Sequence, residues 1–315
     1  MASAKGLPMR GRHKALFAGM AIAGLVASPA AAAKSPMQIR ASDVALFYRV
    51  YDAAHGAPTG DDLQSRYIEA GTDGVRQFVP NRILSGEHLA DVIAHRRPAY
   101  ERARNCQTAL PKVSARLSGA FRRLARLYPQ ATFVPVTILI GADNSGGTTG
   151  PSGVLVGLEV VCTPQPFEKS PADLLYHLIA HEYGHIQQPA LLAGENAPTT
   201  VLRQSLIEGA PELVSDLITG EPSAAYLAKW TRGRERSLDE AFLKDVGSAD
   251  LSHWLYNGTG TPEHPGDLGY WVGYRIAKAY YDKASDKHAA LRTLFDLKDP
   301  QAILAQSGWA PGDPG

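Results

Sequence analysis

Cysteine is nearly absent from this chain. Its 315 residues hold two, Cys106 and Cys162, and no C-x-x-C pair, which excludes a cysteine-built zinc site and a thioredoxin-like redox motif. Charge of one sign is not in excess either. Lys and Arg number 32 against 31 Asp and Glu, for a formal net charge of +1, so no basic surface dominates and no nucleic-acid partner is expected. The glycine-rich stretch 141–153, GADNSGGTTGPSG, lacks both the phosphate-loop Lys-Ser/Thr and the G-x-G-x-x-G spacing. Long apolar runs are missing beyond one near the N-terminus, and that one, Ala15–Ala27, falls short of the roughly 20 residues that cross a bilayer. No internal repeat and no long linker divides the rest.

The short apolar run has its own meaning. Lys5, Arg10, Arg12 and Lys14 precede it with no acidic residue among them, Ser28-Pro29 ends it, and Ala31 and Ala33 form an A-x-A site. This is the pattern of a secretory signal peptide, residues 1–33, with the cut expected after Ala33. Arg10-Gly11-Arg12 is not a twin-arginine pair and no cysteine follows the cut, so neither twin-arginine export nor a lipid anchor is expected. The expected location is secreted or periplasmic, without stable membrane insertion after cleavage. Removing residues 1–33 leaves 28 basic against 31 acidic side chains, a net of −3. In an oxidising compartment Cys106 and Cys162 either pair, closing a long loop, or lie apart as two buried thiols.

Hydrophobic spacing changes along the chain. Val44, Phe47, Tyr48 and Tyr51 recur at helical spacing, as do Leu89, Val92 and Ile93 after Ser85, a helix-capping residue. A third helix carries Leu117, Phe121, Leu124 and Leu127 on one side and Arg116, Arg122, Arg123 and Arg126 on the other, which reads as a solvated face rather than an anion-binding stripe. Then 132–140 (TFVPVTILI) and 154–162 (VLVGLEVVC) read as two β-branched strands joined by the glycine-rich loop. Helices resume at about 171–188, 203–219, 222–246 with a break, 267–284 and 286–297, with a last one starting at Asp299-Pro300.

The chemistry lies in SPADLLYHLIAHEYGHIQQP, residues 170–189. Ser170 caps this helix, Pro171 suits its first position and Pro189 ends it. On it His181, Glu182 and His185 spell H-E-x-x-H. Four residues are about 400° of rotation, so both imidazoles leave one face a turn apart and can share a tetrahedral zinc ion. Glu182 stands beside that face as a general base. Gln188 and Leu191 stand where the extended metzincin motif needs Gly and His, which removes that class. A third ligand is sought on the next helix, where Glu208 lies 23 residues after His185 and Glu212 one turn further on. Glu208 as ligand, with Glu212 orienting a histidine, makes a His-His-Glu site; alternatively Ser205 and Glu208 form only a capping box.

HEYGH followed by EGAPE resembles the gluzincin type of zinc peptidase. SGGT, GLE, HEYGHIQQ, IEGAPE and GYWVGYRIAKAYYDK together resemble the family of predicted zinc-dependent proteases called domain of unknown function 2268. The resemblance implies Glu208 as third zinc ligand and Tyr270, in Tyr270-Trp271-Val272-Gly273, as the residue that stabilises the transition state, with Tyr274 in reserve; on their own both tyrosines read equally as helix core. It implies an α+β fold: a mostly helical zincin-like metallopeptidase domain with a small sheet or hairpin beside the H-E-x-x-H helix. The expected domain spans 34–315, with a helical part 41–128, a hairpin 132–162, zinc-binding helices 171–219 and C-terminal helices 222–308. In gluzincins the strand upstream of the zinc helix, here 154–162, pairs with the peptide, and Glu159 would correspond to an acid that binds a substrate amino terminus. Pro211 departs from the family pattern and threatens a kink near Glu208.

The expected activity is that of an exported peptidase with one Zn2+ ion, held by His181, His185 and Glu208, with Glu182 and Tyr270 catalytic and Glu212 behind His181. Its partner is a peptide or protein substrate. A zinc-stabilised binding protein with little turnover, and a zinc hydrolase of non-peptide amides or esters, are the other readings.

Overall fold

The structure is a computed structural model that describes residues 38–163, 170–189, 198–258, 260–261 and 263–313. The segment 1–33, expected to be a signal peptide, lies outside these residues. From Ser35 onward the chain clusters as one unit, mostly helical around a small four-stranded sheet, an α+β arrangement.

The sheet is β1 (Ile39–Arg40), β2 (Val136–Leu139), β3 (Gly147–Gly150) and β4 (Gly153–Gly157), in spatial order β1-β2-β4-β3. β2 runs parallel to both β1 and β4, and only β3 is antiparallel, with Gly147 opposite Val156 and Gly150 opposite Gly153. The expected hairpin of 132–140 with 154–162 is therefore corrected. The true hairpin is β3–β4, and its first arm comes from the stretch GTTG that reads as loop. Residues Leu158–Val161 turn into a short helix instead of prolonging β4; a short buried apolar run fits either state, so periodicity could not decide. β2 and β4 are buried along their whole length while β3 is half-buried. β3 is thus an edge strand, and β4, which the sequence reading made the edge, is interior.

Before the sheet come α1 (Ser42–Ala53), α2 (Gly60–Leu63), α3 (Asp73–Phe78), α4 (Gly86–Cys106) and α5 (Leu110–Leu127), with π-helical turns at Gln64–Ile68 and Val79–Ile83. Ser85 caps α4, its hydroxyl accepting from His88 N at 3.1 Å. Buried tyrosines tie these helices to the strand ends: Tyr67 Oη donates to Ile140 O at 2.6 Å and Tyr100 Oη to Gly141 O at 3.1 Å. After β4 come α6 (Leu158–Val161), α7 (Pro171–Ile186), α8 (Val201–Thr219), α9 (Tyr226–Thr231), α10 (Glu235–Asp245), α11 (Leu268–Lys283), α12 (Lys287–Asp296) and α13 (Pro300–Ser307). Two of the four α5 arginines do more than face solvent. Arg116 pairs with Asp173 at 2.6 Å, and Arg123 Nε donates to Ile218 O at 2.6 Å, fastening α5 to both α7 and α8.

Cys106 and Cys162 form a disulfide that joins the end of α4 to the end of α6. Among the described residues no helix is long and apolar enough to cross a membrane.

Helix α8 is the axis of the second half. A Cβ on Gly184 of α7 would lie 2.4 Å from Pro211 Cα, and one on Gly209 would lie 2.1 Å from the Gly273 carbonyl carbon of α11. A Cβ on Gly273 would meet Ser205 O at 1.8 Å. Glycine at these three crossings lets backbones touch, which seats α8 between α7 and α11 closely enough for their side chains to converge.

Candidate metal centre and its cleft

Ser170 Oγ accepts from Asp173 N at 3.3 Å and Pro171 opens α7, so the capping chemistry sets the phase of the helix. That phase turns His181, Glu182 and His185 inward, all buried. The imidazole centroids lie 4.9 Å apart. Thr200 caps α8 through Arg203 N at 3.2 Å, leaving Ser205 in the helix interior. The capping-box reading of Ser205 and Glu208 therefore fails. Glu208 instead crosses to α7: its Oε2 is 3.1 Å from His185 Nε2 and 3.4 Å from His181 Nε2. One ligand atom each from His181, His185 and Glu208 fall within 4.8 Å of one another, a group that could hold a metal ion.

Each histidine is braced from behind. His181 Nδ1 lies 2.8 Å from Glu212 Oε1, at ion-pair distance but off the hydrogen-bond axis. Glu212 is held in turn by Ser223 Oγ at 3.0 Å and Ala224 N at 2.9 Å. His185 Nδ1 is 2.8 Å from Gln188 Oε1, and Gln188 Nε2 donates to Ile207 O at 2.8 Å. Pro211 explains that last bond. Lacking N–H, it cannot donate to the carbonyl four residues back, and the Gln188 amide takes its place. The helix continues through Pro211 to Thr219, so the proline frees an acceptor without displacing Glu208.

The electrostatics favour a cation. Burial works against charge on His181, yet Glu212 and Glu208 hold its imidazole well above the usual range. His185 is raised in the same way by Glu208. Burial pushes Glu208 up, but the facing imidazoles outweigh it and hold the carboxyl well below the ordinary range. A buried cluster of two imidazoles and three carboxylates (Glu182, Glu208, Glu212) stabilises positive charge, and a divalent cation can replace the protons that supply it. Two nitrogens, one carboxylate oxygen and braced distal nitrogens suit zinc.

The cluster floors a cleft of ≈ 440 Å3. Glu182 faces it, its carboxyl raised by burial. A Cβ on Gly147 would lie 2.5 Å from Glu182 Oε1, so glycine at the start of β3 is what lets this strand border the acid. Tyr270 lies over His181, ring centroids 6.0 Å apart and planes 26° from parallel; burial, then the Glu208 charge, pushes its phenol far above the usual range. Tyr274 points elsewhere, donating to Asp216 Oδ2 at 2.9 Å. Glu159 is buried beneath the sheet, accepting from Gly141 N at 3.0 Å and Asp143 N at 3.3 Å, with its carboxyl pushed by burial up to about 7. It does not line the cleft, nor do His177, His253 or His264.

Several cleft residues escaped the sequence reading, Tyr256 and Arg82 among them. Tyr256 Oη donates to Glu208 Oε1 at 2.8 Å and receives the Gln204 amide. It sits with φ 59° in an irregular segment that Asn257 and Asp267 tie by reciprocal backbone-to-side-chain bonds. Arg82, on the π-helical turn, forms part of the wall. Neither lies in a periodic segment or a motif, so no local signal marked them.

No curated protein and no solved structure matches the chain. The model of the family described as predicted Zn-dependent protease (DUF2268) does, over residues 119–299. That stretch runs from within α5 to the end of α12 and contains every residue of the buried His-His-Glu cluster. On a match over more than half its length, the chain belongs to this family of predicted Zn-dependent proteases.

Proposed function

We propose that the protein is an exported zinc-dependent peptidase of gluzincin type, with a zincin-like arrangement of sheet and H-E-x-x-H helix in one domain from residue 34 to 315. The observation that carries this reading is the convergence of His181, His185 and Glu208 on one point, with Glu182 beside them at the floor of an open cleft. The disulfide supports an oxidising compartment, secreted or periplasmic.

His181, His185 and Glu208 would hold one zinc ion, which would supply Lewis-acid polarisation of the scissile carbonyl and a lowered water pKa of about 7. Glu182 takes the proton from the attacking water and passes it to the leaving amine nitrogen. Tyr270, kept protonated by its surroundings, donates to the carbonyl oxygen as negative charge develops there. Glu212 and Gln188 fix the rings of His181 and His185. Among the described residues β3 pairs only with β4, and its other edge offers backbone groups to an extended peptide by strand addition. Peptide or protein is thus the substrate; nucleic acid is not a partner.

The test combines metal analysis with a peptide library. Purified protein is expected to carry one zinc per chain and to cut peptides; Glu182→Gln is expected to keep the metal and lose about 10²-fold or more in kcat. A zinc-loaded protein that cuts nothing, and that Glu182→Gln leaves unchanged, would be a zinc-stabilised binding protein instead.

A further inference from the structure

Arginines in this fold are generally engaged. Arg275 is clamped by Asp239 at 2.7 and 2.9 Å, Arg104 pairs with Asp52, Arg96 with Asp143 and Arg116 with Asp173. Arg82 is different. It is half-buried and its Nε, like those of Arg102 and Arg275, is shielded from solvent without a hydrogen-bond partner; among the described residues no carboxylate forms an ion pair with its guanidinium, although its charge reaches Glu182. The shielded Nε forgoes a hydrogen bond, a cost that an acceptor entering the cleft beside Arg82 can relieve.

Its position says where that acceptor sits. Arg82 is the one cationic side chain, among the described residues, in a wall otherwise made of β3, Gln204, Ile207, the tyrosines and the metal-cluster residues. The π-helical turn holds it by the buried Ile83, and its carbonyl accepts from Asn144 Nδ2 at 2.8 Å, tying the turn to the loop before β3. Acids in the cleft have other work: Glu208 faces the imidazoles and Tyr256, and Glu182, beside the imidazoles, carries the proton transfers proposed for it. Glu159, the acid that would receive a substrate amino group, is turned into the core. The cleft therefore has no spare carboxylate for an ammonium group, but it has a spare fork-shaped cation.

We propose that Arg82 is a specificity residue that binds a carboxylate of the peptide substrate, from a free C-terminus or from an acidic side chain. A guanidinium meets a carboxylate through two parallel N–H donors, which fixes the register of the chain lying along β3. The inference takes its substrate class from the peptidase reading, and its test does not depend on turnover.

Binding of N-acetylated peptides to the zinc-loaded Glu182→Gln protein, full chain, is measured by calorimetry in two matched pairs. One pair differs by a C-terminal carboxylate or carboxamide. The other, amidated throughout, differs by an internal Glu or Gln. At least one pair is expected to favour the carboxylate about tenfold or more, which identifies its source. Adding Arg82→Gln is expected to bring that ratio to about one, with zinc content and melting temperature unchanged. Arg82→Lys, which keeps charge but loses the fork, is expected to narrow it severalfold, and serves if Arg82→Gln does not fold. Ratios near one in both pairs, or a ratio that neither variant changes, would overturn the proposal and leave Arg82 acting only on the charge of Glu182. A wild-type protein that cuts no peptide overturns the peptidase reading but not a carboxylate preference measured here.

Discussion

At the scale of single residues, the two tyrosines at the cluster divide the work by what their hydroxyls touch. Tyr270 stacks on His181 without holding a ligand, whereas Tyr256 donates directly to Glu208. Tyr270→Phe is therefore expected to lower kcat by about 10²-fold with metal content unchanged, the usual cost of losing one oxyanion donor. Tyr256→Phe frees Glu208 Oε1 and is expected to weaken zinc binding by about tenfold. Competition with a metallochromic chelator reads the second effect, and steady-state kinetics on zinc-saturated protein reads the first. Equal effects of both variants on affinity would contradict this division. The histidines were legible in the sequence because their partnership is local, one helical turn apart. Tyr256 and Arg82 were not, since each reaches the cluster from an irregular segment by a route that only the folded chain defines.

At the scale of elements, close backbone crossings set the geometry. Gly273 explains the Tyr-x-x-Gly spacing physically: the glycine lets α11 touch α8 at Ser205, and Tyr270, one turn earlier, is thereby carried over His181. Pro211 plays a comparable part on the other side of α8. By leaving Ile207 O free it gives Gln188 an anchor, and Gln188 then holds His185. Gln188→Leu removes both bonds and leaves the ring free to turn. Zinc affinity is expected to fall about 10-fold or more, measured by chelator competition, with helix content unchanged by circular dichroism. An unchanged affinity would mean that packing alone orients the ring. Strands were less legible than helices. Caps such as Ser170-Pro171 and Asp299-Pro300 mark helix starts directly, and α7 and α13 begin there. β3 is two glycines around two threonines, a composition with no strand signature, and it is a strand because β4 offers it a partner.

For the whole molecule, the disulfide links the end of α4, in the helical first half, to the end of α6, the short helix that follows β4. It closes a separation of 56 residues, which in the chain-entropy model is worth about 4 kcal/mol. A Cys106→Ser, Cys162→Ser double variant is expected to unfold in urea with a ΔG lower by about that amount, and reductant is expected to shift the wild type but not the variant. If the wild type shows no response to reductant, the bridge contributes nothing to stability. Residues 34–315 carry a formal −3, 28 basic against 31 acidic side chains.

What the sequence by itself determined is what depends on near neighbours along the chain: helix starts through caps, buried faces through periodicity, and the H-E-x-x-H pair through the turn of a helix. For Glu208 the sequence left two readings, ligand or capping box, and the fold brought it to the imidazoles. Only the tertiary structure decided which strand is the edge, whether the cysteines meet, that Glu159 is turned inward, and that Arg82 and Tyr256 complete the cleft. Those depend on contacts between separate segments of the chain, from the neighbouring arm of a hairpin to helices far apart in sequence. Their geometry comes from packing at Gly184, Gly209 and Gly273 and from sheet order, neither of which leaves a mark at the positions it brings together.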